Sequence, residues 1–230
     1  MDYKLKAMKT TYKNFTIRIE QDENPMNPRT EWDNFGTIAY KHRSYILGEE
    51  EINDPDDFLA GLAGVEPDKD NLMKRAQRKN VILPVYLYDH SGITISCRPF
   101  SCPWDSGQVG FIYATYEQIR KEYNVKHVTK KVIEKVKNLF RSEIETFDNY
   151  LTGEVYSFTV EDENGEMVDS CCGWYGDDGI EEAKTEARSW IDYEIDRRIK
   201  KRNEAIKQMI RSKIPLHIRM KKLENLPLYV

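Results

Sequence analysis

Asp89 and His90 stand side by side in the turn-forming stretch Asp89-His90-Ser91-Gly92, and Cys102-Pro103-Trp104-Asp105 later supplies a thiol and a second carboxylate. An imidazole and carboxylates on loops beside a sheet have the chemistry for proton transfer or for holding a hard metal ion, and Asp33 offers a further oxygen from another loop. Cys102 with His90 would instead make a thiol nucleophile and its base, though no flanking signature accompanies them. If the chain is an enzyme, the candidates are therefore Asp89, His90, Cys102 and Asp105, in a small metal- or thiol-dependent hydrolase. The plainer alternative is that Asp89 and Asp105 bond their own backbone in turns, as aspartate commonly does. The chain has four histidines and no His-x-x-x-His or Glu-x-x-His spacing, so no catalytic residue, metal or cofactor is assigned.

Cys97-x4-Cys102 and Cys171-Cys172 would make one zinc site only if two hairpins met. Adjacent residues of a strand point to opposite faces, which makes Cys171 and Cys172 poor co-ligands. Packed, reduced thiols are the expectation. Gly61-Leu62-Ala63-Gly64 lacks the lysine and the preceding strand of a phosphate loop.

Charge and large rings point toward binding. The net charge of −4 hides alternating blocks: residues 20–70 carry fourteen acidic and four basic side chains, residues 151–196 fourteen and two, and residues 197–230 eleven basic and two acidic. Blocks of this size steer partners, or pair within the fold and face solvent. Asp54, Asp56, Asp57, Glu161, Asp162 and Glu163 are the acidic candidates for meeting a partner. Trp104 and Trp174, each in a Gly- and Asp-containing stretch, are candidate anchors, with core lids as the alternative. Lys200, Lys201 and Arg202 begin a basic segment suited to phosphate, or to the end of a solvated helix. Aromatic rings for base stacking are missing there apart from Tyr229.

The elements that would position these residues are readable from pattern. Phe15–Glu20 alternates apolar and polar as a half-buried strand, Asn24–Pro28 reads as loop, and Gly36–Tyr40 is a second strand. Asp54 followed by Pro55 opens a helix that Gly61 and Gly64 keep short, and a second helix is expected over residues 70–79. Val81–Tyr88 should be a central strand, complicated by Pro84, which favours an edge or a bulge. It turns at Asp89–Gly92 into Ile93–Ser96, and Val109–Ala114 is another strand. Thr115 with Gln118 caps a short helix and Thr129 a longer one, with Val132, Ile133, Val136, Leu139, Phe140, Ile144 and Phe147 on one face until Gly153. Asn164-Gly165 between two strands predicts a type I′ hairpin turn. From Asp177 or Asp178 a long helix should bury Ile180, Ala183, Ala187, Trp190, Ile191, Ile195 and Ile199, then Ile206, Met209 and Ile210.

No repeat, low-complexity tract or long linker divides the chain, and 40% hydrophobic residues with 26 aromatic rings suffice for a core. The expected architecture is one α+β domain over residues 1–230: an antiparallel sheet with hairpins, packed by helices on one face and ending in a long C-terminal helix. Residues 1–12 are expected to be a flexible start and 214–230 a basic tail. No apolar run is long enough to span a membrane and no apolar core follows the first charges, so a cytoplasmic protein with no membrane partner is expected.

Three segments carry a resemblance: Glu31-Trp32-Asp33-Asn34-Phe35-Gly36-Thr37, Leu83-Pro84-Val85-Tyr86-Leu87-Tyr88-Asp89-His90-Ser91-Gly92-Ile93, and Cys102-Pro103-Trp104-Asp105-Ser106-Gly107-Gln108-Val109-Gly110-Phe111-Ile112-Tyr113. With Tyr150–Tyr156 and Asp169–Gly176 they span most of residues 25–190 and resemble a group of small accessory proteins carried by bacteriophages and other mobile elements. The resemblance brings no established activity, so no catalytic residue carries over; the departure at Ala39-Tyr40-Lys41 falls on a strand. It implies a gene of the kind that blunts host defence by binding, as anti-CRISPR and antirestriction proteins do. The expected partner is then a host protein or ribonucleoprotein complex in a bacterial cell, whose nucleic-acid channel is occluded by acidic surface from 49–70 or 161–182. A nucleic-acid binder using the basic C-terminal segment is the other alternative.

Overall fold

The computed structural model describes residues 7–67 and 70–224. The chain opens with β1 (Met8–Tyr12) and β2 (Phe15–Gln21), joined at Lys13 and Asn14, which have φ of 47° and 65°. Positive φ at both central residues is the geometry that matches the twist of a two-residue hairpin. Residues 8–12 are thus a paired strand, and of the expected flexible start only residues 1–6 lie outside the described residues. Asn27 and Pro28, expected in a loop, are the N-cap and first residue of α1 (Pro28–Glu31), where the missing proline N–H has no partner to lose.

β3 (Thr37–Tyr40) and β4 (Glu50–Glu51) follow, then α2 (Pro55–Ala63), opened by Asp54, which accepts from the N–H groups of Asp56 and Asp57. α3 is shorter than expected, Leu72–Ala76. β5 (Asn80–Asp89), β6 (Ile93–Ser96) and β7 (Ser106–Thr115) come next. Pro84 is accommodated in two ways: β6 pairs only with Tyr86–Asp89, and a register shift follows at Val85/Tyr86. α4 (Tyr116–Glu122) carries the full capping box of Thr115 and Gln118, and α5 (Lys130–Thr152) runs from its Thr129 cap to Gly153.

β8 (Val155–Glu161) and β9 (Met167–Tyr175) make the second hairpin. Its turn is not type I′, since of Asn164 and Gly165 only Gly165 has positive φ, at 80°. Asp162 and Glu166 instead close a three-residue loop, with the Asp162 side chain accepting from the N–H groups of Asn164 and Glu166. α6 (Gly176–Arg211) and α7 (Leu216–Glu224) complete the chain. α7 occupies much of the expected tail; residues 225–230, with Tyr229, lie outside the described residues.

The fold is α+β, and it divides into two compact units where the sequence, lacking a linker, suggests one domain. One unit comprises residues 1–23 and 155–230, the other 24–154. Each has its own sheet, so there are two sheets rather than one. In the first, β1-β2-β8-β9 is wholly antiparallel, and Phe15, Ile17, Ile19, Tyr156, Phe158 and Val160 pack against Ile180, Ala183, Ala187 and Ile191 of α6. In the second, the order is β4-β3-β7-β5-β6, antiparallel except for the β3–β4 pair. This sheet is covered on both faces: Ile38, Val85 and Ile112 meet Val136, Phe140, Ile144 and Phe147 of α5, while Ala39, Ile82 and Phe111 meet Leu59, Ala60, Leu72 and Ala76 of α2 and α3.

The α6 stripe is buried only over its first half. Ile180, Ala183, Ala187 and Ile191 are buried, Trp190 and Ile195 half-buried, whereas Ile199 is 46% and Ile210 54% exposed; farther on, Met209 is again buried. The expected burial of Ile199 and Ile210 fails because the apolar cover of the helix ends before they do: the apolar side chains packed on it from β2, β8 and β9 reach no farther along than Ile195, and past that point Arg198 lies over the Phe15 ring at 5.6 Å.

Candidate functional site

The four candidate catalytic residues do converge. Asp89 closes β5, and the turn after it is held by the His90 N–H donating to the Gly92 carbonyl, with positive φ at Ser91 and Gly92. The Asp89 N–H donates to the Asp105 carbonyl at 2.8 Å, which pins the loop before β7 beside this turn. The Asp105 Oδ2 then lies 3.4 Å from His90 Nδ1 and 3.6 Å from Cys102 Sγ. Ser106 Oγ donates to the Cys102 carbonyl, and the Tyr88 ring lies between His90 and Phe100, at 6.0 and 5.7 Å between centroids.

The order of these groups decides their chemistry. A thiol nucleophile needs the imidazole next to the sulfur and the carboxylate behind the imidazole. Here the carboxylate stands between, and a thiol that donates to a carboxylate is not helped to become a thiolate. The geometry therefore lacks the relay that would activate Cys102. Among the described residues no group of three or more His, Cys, Asp or Glu side chains is placed to hold a metal, so Asp33 does not join Asp89, His90 and Asp105 in one.

What the same loop does present is Trp104. It is 91% exposed, and beside it His42, Asp89, Asp105, Ser106 and Gly107 line an open cleft of about 320 Å³. His42 Nδ1 accepts from the Ser44 and Tyr45 N–H groups, so this imidazole is fixed by its own loop. Trp174, the other candidate anchor, is half-buried and packs on Phe158 at 6.2 Å, which makes it a lid on the core.

The acidic candidates divide by role. Asp54 is the cap of α2, and the Asp57 and Asp56 N–H groups hold its carboxyl below the usual range. Asp56 and Asp57 behind it are exposed, and Asp56 lines a cleft of about 440 Å³ with Lys41, Leu59 and Phe111. In the other unit Glu161 is bound by Arg18 at 2.7 Å and Asp162 builds the hairpin loop, leaving Glu163 exposed. Lys200 and Lys201 are exposed on α6 and Arg202 is half-buried.

The cysteines differ from the packed thiols expected. Cys171 and Cys172 are exposed on β9, the edge strand, and only Cys97 is strongly shielded, burial pushing its thiol up to about 11. Cys97 borders a cleft of about 500 Å³ between β6 and α5 that the sequence did not single out, lined also by Ser96, Arg98, Arg141 and Asp148. Asp148 accepts from Thr94 Oγ1 at 2.6 Å and the Ile95 N–H at 2.7 Å, so it closes the open edge of β6 against further pairing. A carboxylate one position past Phe147, on the margin of the apolar stripe of α5, was the available signal.

No protein-family model, curated protein or solved structure matches this chain.

Proposed function

We propose that the chain is a non-catalytic binding protein, an accessory protein of a bacteriophage or mobile element acting in the host cytoplasm. It binds a nucleic-acid-acting host factor, CRISPR or restriction machinery being the kind expected, and occludes its basic channel. The observation that carries this reading is Trp104. A large ring held almost wholly in water, beside the carboxylates of Asp89 and Asp105, costs free energy until a partner covers it. Carboxylates around an indole also suit a guanidinium or ammonium, which such a channel supplies. Asp56 and Asp57, exposed in the same unit, add charge of the same sign. The accessory-protein context comes from the motif resemblance alone.

The test is binding to a panel of defence complexes, in competition with a nucleic-acid duplex and across a range of salt. Trp104→Ala should weaken binding by about 2 kcal/mol or more, as a central anchor does. Asp56→Lys with Asp57→Lys should act chiefly by slowing association. The pairing of His90 with Asp105 at 3.4 Å, which could move a proton even though Cys102 is not activated, keeps a hydrolase as the second reading. If His90→Ala abolishes an activity in cells that Trp104→Ala leaves intact, that reading replaces the first. Direct duplex binding lost on reversing Lys200, Lys201 and Arg202 would favour a nucleic-acid binder.

A further inference from the structure

α6 is divided by charge at its middle. Residues 176–196 hold eight acidic and two basic side chains, and residues 197–211 seven basic and one acidic, so the two parts carry equal and opposite net charge. The helix dipole favours this sense of charge but acts only within the first and last turns. It accounts for Asp177, Asp178 and Arg211, and not for a change of sign between Asp196 and Arg197.

The same stretch carries apolar surface. Beyond Ile195, which packs on the sheet, Ile199, Ile206 and Ile210 recur at helical spacing along one side, Ile206 half-buried, Ile199 and Ile210 about half exposed. Among the described residues, Ile199 and Ile210 of this stripe are two of the eleven exposed large apolar side chains, and a cluster of such residues along one helix side is a surface to be covered.

We infer that α6 pairs with α6 of a second copy of this chain, antiparallel, with these isoleucines as the seam. Antiparallel pairing about residue 203 sets position 196 of one helix against position 210 of the other. Asp196 then lies near Lys207 and Arg211 of the second copy, and the contact repeats by two-fold symmetry. Packed helices lie about 8–10 Å apart, close enough for flanking charges to meet across an apolar seam. Asp192 and Glu194 contribute less, because Lys13 holds Asp192 at 2.8 Å and Arg197 and Arg198 hold Glu194 within the helix. An anionic lipid surface or a nucleic acid fits worse. The stripe begins just past Asp192, Glu194 and Asp196, which either would repel, and phosphate has no use for a row of isoleucines.

Sedimentation velocity of the full chain over a wide concentration range tests this. The wild type should approach twice the mass of one chain, less so at high salt. Ile199→Asp with Ile210→Asp, both at exposed positions, should weaken association at least about tenfold with an unchanged circular dichroism spectrum. Asp196→Lys alone, and Lys207→Glu with Arg211→Glu alone, should each impair self-association, and mixing the two variants should restore it, because the reversed charges face each other only in the mixed pair. A wild type that stays at single-chain mass overturns the proposal, whether or not it binds anionic vesicles or a labelled duplex. So does a double isoleucine variant that still dimerises, and a mixture that fails to recover overturns the antiparallel arrangement.

Discussion

Ile38 and Ala39 are neighbours on β3, and both are buried, on opposite faces of their sheet. Ile17 and Arg18 are neighbours on β2, and only Ile17 is buried. The five-stranded sheet has helices on both faces, and its inner strands carry unbroken apolar runs, Val81-Ile82-Leu83 in β5 and Phe111-Ile112 in β7. The four-stranded sheet has α6 on one face, and its other face carries Thr16, Arg18, Ser157, Thr159 and Glu161. Covering one face or two is what sets a strand's pattern. The two units also hold their buried charges, Arg29 and Glu194, differently. In residues 24–154, Arg29 joins Glu49 at 2.6 Å and Glu143 at 3.2 Å, and the carboxylates accept from the N–H groups of Ile38, Phe35 and Gly36, so the cluster ties α1, β3 and α5 together. In the other unit Glu194 is bound by Arg197 and Arg198 within a single helix.

The contrast is broken most directly at Arg29, whose side chain is 3% exposed. Arg29→Ala leaves the nearly buried Glu143 and the partly exposed Glu49 without their cation and should destabilise by about 3 kcal/mol in chemical denaturation. A loss near that of a surface pair, below about 1 kcal/mol, would show that the cluster is not a tertiary clamp. Comparable in size is a paired substitution on the sheets. Ala39→Lys forces an ammonium into the face covered by α2 and α3 and should cost about 3 kcal/mol. Ser157→Lys, on the polar face of β8 and opposite Glu20, should stay within about 0.5 kcal/mol. Equal costs at the two positions would end the distinction between the sheets.

Gly165→Val ranks third, at about 1 kcal/mol or more, because φ of 80° strains a β-branched residue. Asn164→Ala should cost less, since Asn164 does not need positive φ; a midpoint moved as far by Asn164→Ala would restore the type I′ assignment. This hairpin shows what the sequence could and could not say. The strands were legible from alternation, and the helix starts at Asp54, Thr115 and Thr129 from side chains that bond the nearest backbone, all local signals. The Asn-Gly pair marked the turn correctly, but its type depends on how Asp162 bonds the loop. The genuine two-residue turn at Lys13-Asn14 went unread because Asn14 is a turn former but Lys13 is not, and no glycine stands beside it. The division into two units was equally hidden, since β2 pairs with β8 across most of the chain and no linker marks the crossing. At the site, turn signals placed Asp89, His90 and Asp105, but which group lies between which is set by long-range pairing, with Tyr88 opposite Ser106 and the Asp89 N–H on the Asp105 carbonyl.

The smallest effect is a difference in pH dependence between the units. Hydrogen bonds from Arg197 and Arg198 hold the Glu194 carboxyl below the usual glutamate range. Its contribution to stability is therefore present above about pH 4.3 and is lost as pH falls through the lower folded value. Burial raises the Asp148 carboxyl despite its bonds from Thr94 and Ile95. Its contribution is complete below about pH 3.9 and is lost as pH rises through the higher folded value. The two groups thus bias stability in opposite directions across the weakly acidic range. Relative to wild type, Glu194→Gln should lose stability as pH rises from the acid side, and Asp148→Asn should gain it. Urea midpoints measured against pH read the sign of each difference directly. Slopes of the same sign would mean that Asp148 is held by its two hydrogen bonds more than it is penalised by burial, and that the edge of β6 is closed by a charge at neutral pH without cost.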